Sequence, residues 1–258
     1  MADWQPPEGH PISPDRAKEL MAGDLGDQYR EILAGPCLPI YWHPTGGNPT
    51  SVIDNGTVTV VKPCDTVFGI TAAHVVRDYE MRVDSECITL RLWDQVMPRL
   101  EVIDVSEKYD LATFAIEPHV LNRIAEKRNF PLVPLGHWPP KSPQEGRGIM
   151  FGGYPGAARC GHDDGTVEWG FFPCIGVARR VLEDQITWLI EPDWGLEGSE
   201  VPSRFGGISG GPVIGWFESP SYISHFALSG IISEAHDEFG NVVAITADRI
   251  NDDGTIDH

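Results

Sequence analysis

The stretch "FGGISGGPVIG", residues 205–215, sets one serine, Ser209, between two pairs of glycines. Glycines crowd together where a backbone needs positive φ or must come close to another group. A turn alone accounts for two of them. Four glycines around one hydroxyl, then Pro212 and the apolar pair Val213-Ile214, describe a shaped loop that feeds a strand. Ser209 reads in two ways, as a nucleophile held out on that loop or as a small residue in a turn. The loop alone does not choose between them.

Composition narrows the field. A chain of 258 residues with 41% hydrophobic side chains can bury a sizeable core, as one large domain or two small ones. Its 28 glycines and 22 prolines, with few long helical periodicities, favour an all-β body with many turns. Against 38 acidic residues stand 19 basic ones, a net charge of −19. Such a surface repels phosphate backbones and anionic lipid, so neither nucleic acid nor membrane is an expected partner. Protein or peptide partners remain, basic segments included.

The cysteines, Cys37, Cys64, Cys87, Cys160 and Cys174, are odd in number and scattered, which is no disulfide framework. The opening "MADWQPPEGHPISPDRAKEL" lacks the basic stretch and apolar core of a signal peptide. No apolar run approaches a membrane span. A reducing cytoplasm is the expected compartment. "CGHDDG" (160–165) has no paired ligand spacing and reads as a polar surface loop, so no metal or cofactor is expected.

Along the chain, Ser13 can cap a helix with Pro14 at its first position, running to about Leu33. This gives a helical extension over residues 1–35. Short β runs follow: "GTVTVV" (56–61), "FGITAAHVV" (68–76), "CITLRLW" (87–93), "LEVIDVS" (100–106) and "LATFAI" (111–116). Asn55-Gly56-Thr57 reads as a hairpin turn. The polar helical pattern "VLNRIAEKRNF" (120–130) lies in a crossover linker, 119–144. A second series follows with "GIMFGG" (148–153), "GFFPCIGVARRV" (170–181), "ITWLIE" (186–191), "GPVIGWF" (211–217), "HFALSGIIS" (225–233) and "NVVAITA" (241–247). Two β units result, 36–118 and 145–250, and the acidic end, 251–258, is expected to trail in solvent.

A serine hydroxyl needs an imidazole within reach to take its proton. His74, in "ITAAHVV", sits at the end of an apolar run behind two small alanines. It reads either as that base or as a buried histidine satisfied by backbone. A third member would be a buried carboxylate that fixes the imidazole tautomer. Asp110, in "KYDLATFAI", opens an apolar strand, where a carboxylate is costly without a partner. Its other reading is an ordinary turn aspartate.

Together the blocks "TAAH" (71–74), "DLA" (110–112) and "GGISGGP" (206–212), in that order, resemble the trypsin-like (chymotrypsin-fold) serine peptidases. The resemblance spans about residues 51–250 and is nearest the short disulfide-free bacterial members related to the HtrA proteases, with no PDZ domain following. "PLVPLG" (131–136), "GGYPG" (152–156) and "ALSGIISE" (227–234) support it. The resemblance implies two six-stranded-type antiparallel β-barrels, with His74 as general base, Asp110 as orienting acid and Ser209 as nucleophile. The N–H groups of Gly207 and Ser209 would form the oxyanion hole. The implied activity is serine endopeptidase hydrolysis through an acyl-enzyme, without metal or cofactor. Its alternatives are an idle protease-like binding or scaffold module and an esterase-like hydrolase on the same triad.

Departures from the family pattern inform the rest. Val75 and Phe205 stand where secreted relatives carry cysteines. Ile208 precedes the serine where many carry aspartate, so a freed amino terminus has no carboxylate to pair with. Either the oxyanion hole is preformed, or a protein partner or a substrate strand in the cleft orders it, and external control is the favoured expectation. By the same alignment Ser203 lies at the base of the primary side-chain pocket, which argues against a preference for Arg or Lys. Ser233, Glu234 and Ala235 match the strand along which a substrate backbone pairs, and Ser233 is placed to hydrogen-bond Asp110.

Overall fold

Runs of β-branched and aromatic residues form the strands, and their inward faces make two separate cores. The computed structural model describes residues 23–46, 53–162, 166–190, 201–218, 224–236 and 240–258. A helix, α1 (Asp24–Ala34), leads into the first sheet. That sheet holds β1 (Cys37–Pro44), β2 (Asp54–Val61), β3 (Phe68–Thr71), β4 (Ile88–Leu92), β5 (Gln95–Met97), β6 (Glu101–Ser106) and β7 (Leu111–Ala115). The order is β5-β4-β1-β2-β3-β7-β6, every pairing antiparallel. Between β3 and β4 runs α2 (Ala73–Val83), and after β7 comes α3 (Pro118–Lys127).

The second sheet is built from β8 (Gly148–Gly153), β11 (Phe172–Val177), β12 (Arg180–Val181), β13 (Gln185–Leu189), β14 (Pro212–Glu218), β15 (Ser224–His236) and β16 (Asn241–Thr246), in the order β11-β8-β14-β15-β16-β13-β12. A small hairpin of β9 (Arg159–Gly161) and β10 (Val167–Trp169) stands apart from it. The protein is thus all-β in two antiparallel units, as the sequence implies, with seven strands in each.

Leu38, Ile40, Trp42, Val60 and Phe114 fill the first unit, and Phe151, Phe172, Trp188 and Val242 the second. A third cluster joins them: Phe68, Ile70 and Leu111 of the first pack with Leu228, Ile231 and Ile245 of the second. The two units are therefore fixed against each other by buried apolar surface, which lets side chains from both meet at one cleft. The larger second-unit strand β15 carries a register shift between Ile232 and Glu234. Its importance appears at the site.

Three local expectations change. The run 68–76 is not one strand: it stops at Thr71, and His74 lies in the first turn of α2. Asn55-Gly56-Thr57 is not a turn but part of β2, where a Cβ on Gly56 would lie 2.6 Å from Val75, so the glycine admits α2. The end of the chain, 251–258, does not trail in solvent. Ile256 is 4% exposed in the joining cluster, its N–H bonds Asp104 at 2.9 Å, and the Gly254 carbonyl accepts from Thr113. The N-terminal helix is described from Asp24 to Ala34, while its expected start at Ser13 lies outside the described residues. Leu33 and Tyr29 dock it on Met150 and Ile214 of the second unit.

None of the described helices is long and apolar enough to cross a membrane. Among the described residues no cluster of His, Cys, Asp and Glu has a metal-binding arrangement, and residues 163–165 of the "CGHDDG" loop lie outside them.

Candidate active site

Asp110 holds the site together from an unusual backbone position. Its φ is +49°, a left-handed conformation that aspartate tolerates better than most residues. There the chain turns into β7 and aims the carboxylate at the start of α2. The N-cap of α2, Ala72, has no side chain to satisfy the first N–H groups of the helix. Asp110 does so instead. Its Oδ1 accepts the His74 backbone N–H at 2.9 Å, and its backbone carbonyl accepts the Ala73 N–H at 3.1 Å.

The same carboxylate takes His74 Nδ1, at 2.9 Å to Oδ2 and 3.1 Å to Oδ1. Because an ionised carboxylate only accepts, Nδ1 carries the proton, which leaves Nε2 as the lone pair in the neutral ring. Ser233 adds a third donor, its hydroxyl bonding Asp110 Oδ2 at 2.5 Å. The shift in β15 falls at this residue and turns its side chain towards the first unit, as bulges do. The hydrogen bond to Asp110 raises the His74 pKa above the ordinary histidine value, against the opposing effect of burial. Burial pushes Asp110 up, but the bonds from His74 and Ser233 outweigh it and hold the carboxyl below its usual range.

Ser209 comes from the second unit and shares one cleft with His74. Asn55, Gly206 and Gly207 also line it, around a volume of about 410 Å³. The Ser209 hydroxyl donates to the Ser233 carbonyl at 2.9 Å. His74 and Asp110 are thus hydrogen-bonded to each other, while Ser209 faces the same space without a hydrogen bond to the imidazole.

The loop around Ser209 has a nearly complete hydrogen-bond account. The carbonyls of Phe205, Gly206, Gly207, Ile208, Ser209, Gly210 and Gly211 accept, in turn, from Ile208 N, Gly156 N, Thr57 Oγ1, Gly211 N, Thr57 N, Thr59 Oγ1 and Ile232 N. Among the described residues the N–H groups of Gly207 and Ser209 have no such partner. In a trans peptide the N–H points opposite the carbonyl. With the Gly206 carbonyl tied to Gly156 at 2.8 Å, the Gly207 N–H is turned the other way. Gly207 has φ +97°, and a Cβ there would lie 2.1 Å from Asn55. Free N–H groups on a loop of this kind are the donors that binding of a developing oxyanion requires. The loop's own bonds and those from Thr57, Thr59 and Gly156 hold these peptides.

Ile208 is 1% exposed and buried in the second core, which is why its side chain points away from the cleft. Ser203 is exposed and does not line the cleft. Phe205, two residues on, packs into the core against Phe172 and leaves Ser203 facing solvent. Ser233 and Ala235 lie on β15 beyond its last pairing with β14, at Ile231, and their neighbour Glu234 is exposed beside His236.

Sequence reading passed over the threonines of "GTVTVV". Thr57 and Thr59 are fully buried and reach across to the Ser209 loop. The available signal was two hydroxyls at alternate positions of a buried strand, where each must find a partner.

A larger cavity, about 700 Å³, lies between α1, α3 and the β9–β10 hairpin and contains none of His74, Asp110 and Ser209. Its cations are already engaged: Lys127 with Asp94 at 2.6 Å, and Arg128 with the carbonyls of Ala34 and Gly35.

No protein-family model matches the chain, and no curated protein matches it by sequence. Among solved structures it is similar to Deg5, at 15% identity over 88% of this chain and 92% of that one, with a TM-score of 0.49. It is also similar to a Glu endopeptidase, at 15% identity over 81% and 84%, with a TM-score of 0.41. Catalytically inactive tobacco etch virus protease complexed with substrate is a third, at 10% identity over 84% and 80%, with a TM-score of 0.45.

Proposed function

We propose that this protein is a serine endopeptidase of the trypsin-like type, with Ser209 as nucleophile, His74 as general base and Asp110 as orienting acid. The observation that carries the reading is the Asp110–His74 pair beside Ser209 in one cleft, next to two unpartnered loop N–H groups. This is the arrangement acyl transfer needs.

The hydroxyl of Ser209 first turns from the Ser233 carbonyl to His74 Nε2. As its oxygen bonds the substrate carbonyl carbon, Nε2 takes the proton. The carbonyl electron pair moves to oxygen, held by the N–H groups of Gly207 and Ser209. Asp110 stays ionised and stabilises the imidazolium. His74 then gives its proton to the amine nitrogen as the C–N bond breaks. Water, deprotonated by His74, repeats the addition and releases the acid. No step uses a metal or cofactor.

The edge at Ser233–Ala235 on the β14 side, which has no paired strand among the described residues beyond Ile231, supports an extended peptide as substrate, paired to β15 as an added strand. A cytoplasmic location is part of the proposal, supported by the five free cysteines, of which Cys37 and Cys174 are buried. Burial pushes the Cys174 thiol up to about 12.

A second reading, an idle fold used for binding, draws on the bond that turns Ser209 towards Ser233. A fluorophosphonate probe separates the two. Labelling of wild type and none of Ser209→Ala establishes an activated serine, and an unlabelled wild type rejects the enzyme. Peptide turnover set against ester turnover then separates endopeptidase from esterase.

A further inference from the structure

We propose that Thr57, on the first unit, is a positioning residue that holds the oxyanion-binding loop of the second through the Gly207 carbonyl. The inference rests on the reading of Ser209 as nucleophile.

The direction of its hydrogen bonds is determined. The Tyr154 N–H, which can only donate, bonds Thr57 Oγ1 at 2.9 Å. The single hydroxyl proton of Thr57 therefore goes to the Gly207 carbonyl, 2.8 Å away. The backbone of the same residue is engaged as well. Its N–H bonds the Ser209 carbonyl at 2.8 Å, and its carbonyl accepts from Thr71 Oγ1 at 2.8 Å. Thr71 lies three residues before His74. One buried residue thus ties the loop of the nucleophile to the segment of the base.

Topology explains why Thr57 is free to do this. Thr59 pairs with Ile70, so position 57 would next face residue 72. There β3 has ended and the chain turns into α2, leaving the edge of β2 open. The Ser209 carbonyl fills the vacant place in the ladder, and the hydroxyl covers the carbonyl two residues earlier. Gly206 and Gly207 have no Cβ to restrain their rotation. The bond from Gly156 holds the peptide before Gly207, and the Thr57 hydroxyl holds the one after it. Without that hydroxyl the Gly207–Ile208 peptide loses its anchor, and only the Gly156 bond is left to keep the Gly207 N–H turned into the cleft. Ground-state substrate binding along β15 would be untouched, so the loss belongs in kcat.

The test compares Thr57→Val, which keeps the shape and loses the hydroxyl, with Thr57→Ser, which keeps the hydroxyl. Peptide turnover and backbone amide exchange over residues 205–211 are measured in each full-length variant. Thr57→Val is expected to lower kcat about 10- to 100-fold, part of what loss of an oxyanion donor costs. KM should stay within about twofold, exchange of the hydrogen-bonded Ile208, Gly210 and Gly211 amides should accelerate, and Thr57→Ser should recover most of the rate. A kcat loss under about fivefold, or Thr57→Ser as slow as Thr57→Val, overturns the proposal. Should wild type prove unreactive to the fluorophosphonate, the peptidase reading fails separately. Unchanged exchange of the loop in Thr57→Val would then overturn the positioning role too, and accelerated exchange would uphold it.

Discussion

The hydroxyl of Ser209 donates to the backbone carbonyl of Ser233 at 2.9 Å, and the Ser233 hydroxyl donates to Asp110. Ser233 therefore bonds Asp110 through its side chain and Ser209 through its backbone. Ser209→Ala removes one half-buried hydrogen bond and leaves no large cavity. Unfolding free energy should change by about 1 kcal/mol or less, while covalent labelling and turnover disappear. Chemical denaturation and probe labelling on the same sample check both halves. Turnover like wild type would remove Ser209 from the mechanism.

His74 must be neutral to act as base, and its pKa lies above the ordinary value because Asp110 bonds the ring. Activity should therefore rise with pH through a midpoint above about 6.5. Asp110→Asn removes that support, favours the wrong tautomer and should lower kcat on the order of 10⁴-fold. Stability has the opposite histidine dependence. The raised His74 pKa adds stability below about 6.5 that is lost as pH rises through the folded value, whereas the depressed Asp110 pKa adds stability above about 3.9 that is lost on acidification. A kcat/KM profile from pH 5 to 9 tests the first statement; a flat one refutes it.

Gly210 has φ +92°, and a Cβ there would sit 1.9 Å from the Thr57 carbonyl oxygen. Gly210→Ala must push the loop away from β2 as well as strain its backbone. A destabilisation of about 3 kcal/mol or more is expected, with labelling lost. Thermal unfolding and probe reactivity provide the check.

The burial of Ile208 predicts the response to N-terminal cutting. Chains shortened within residues 1–22 should label at the wild-type rate, and acetylating the new terminus should make no difference. A cut at Pro36 also removes Tyr29 and Leu33 from Met150 and Ile214, at about 1.5–3 kcal/mol for each fully buried side chain. That variant should be less stable, not more active. Activity that needs one particular terminus and vanishes on acetylation would contradict the reading of Ile208.

Ile256→Ala tests the docked end of the chain. The side chain lies among Phe68, Leu111 and Ile231, so truncation should cost about 2–5 kcal/mol in urea unfolding. A change below about 0.5 kcal/mol would mean that the C-terminal segment contributes nothing to the joining core.

The order of "TAAH", "DLA" and the glycine-rich loop, with the period-2 apolar runs, was enough to expect two antiparallel β units and to nominate His74, Asp110 and Ser209. Those features are local: a strand's alternation and a glycine's freedom are properties of consecutive residues. Contacts between distant segments had no such signature. Ser203 faces solvent while Phe205, two residues on, packs on Phe172, and the acidic end folded back because Ile256 had an apolar cluster to fill. Thr57 looked like any strand threonine until packing of the two units brought the Gly207 carbonyl, 150 positions away, to its hydroxyl. Sequence determined which residues could do chemistry. Burial of apolar surface between the two units decided which of them meet, because that packing is set by the whole chain and by no single stretch of it.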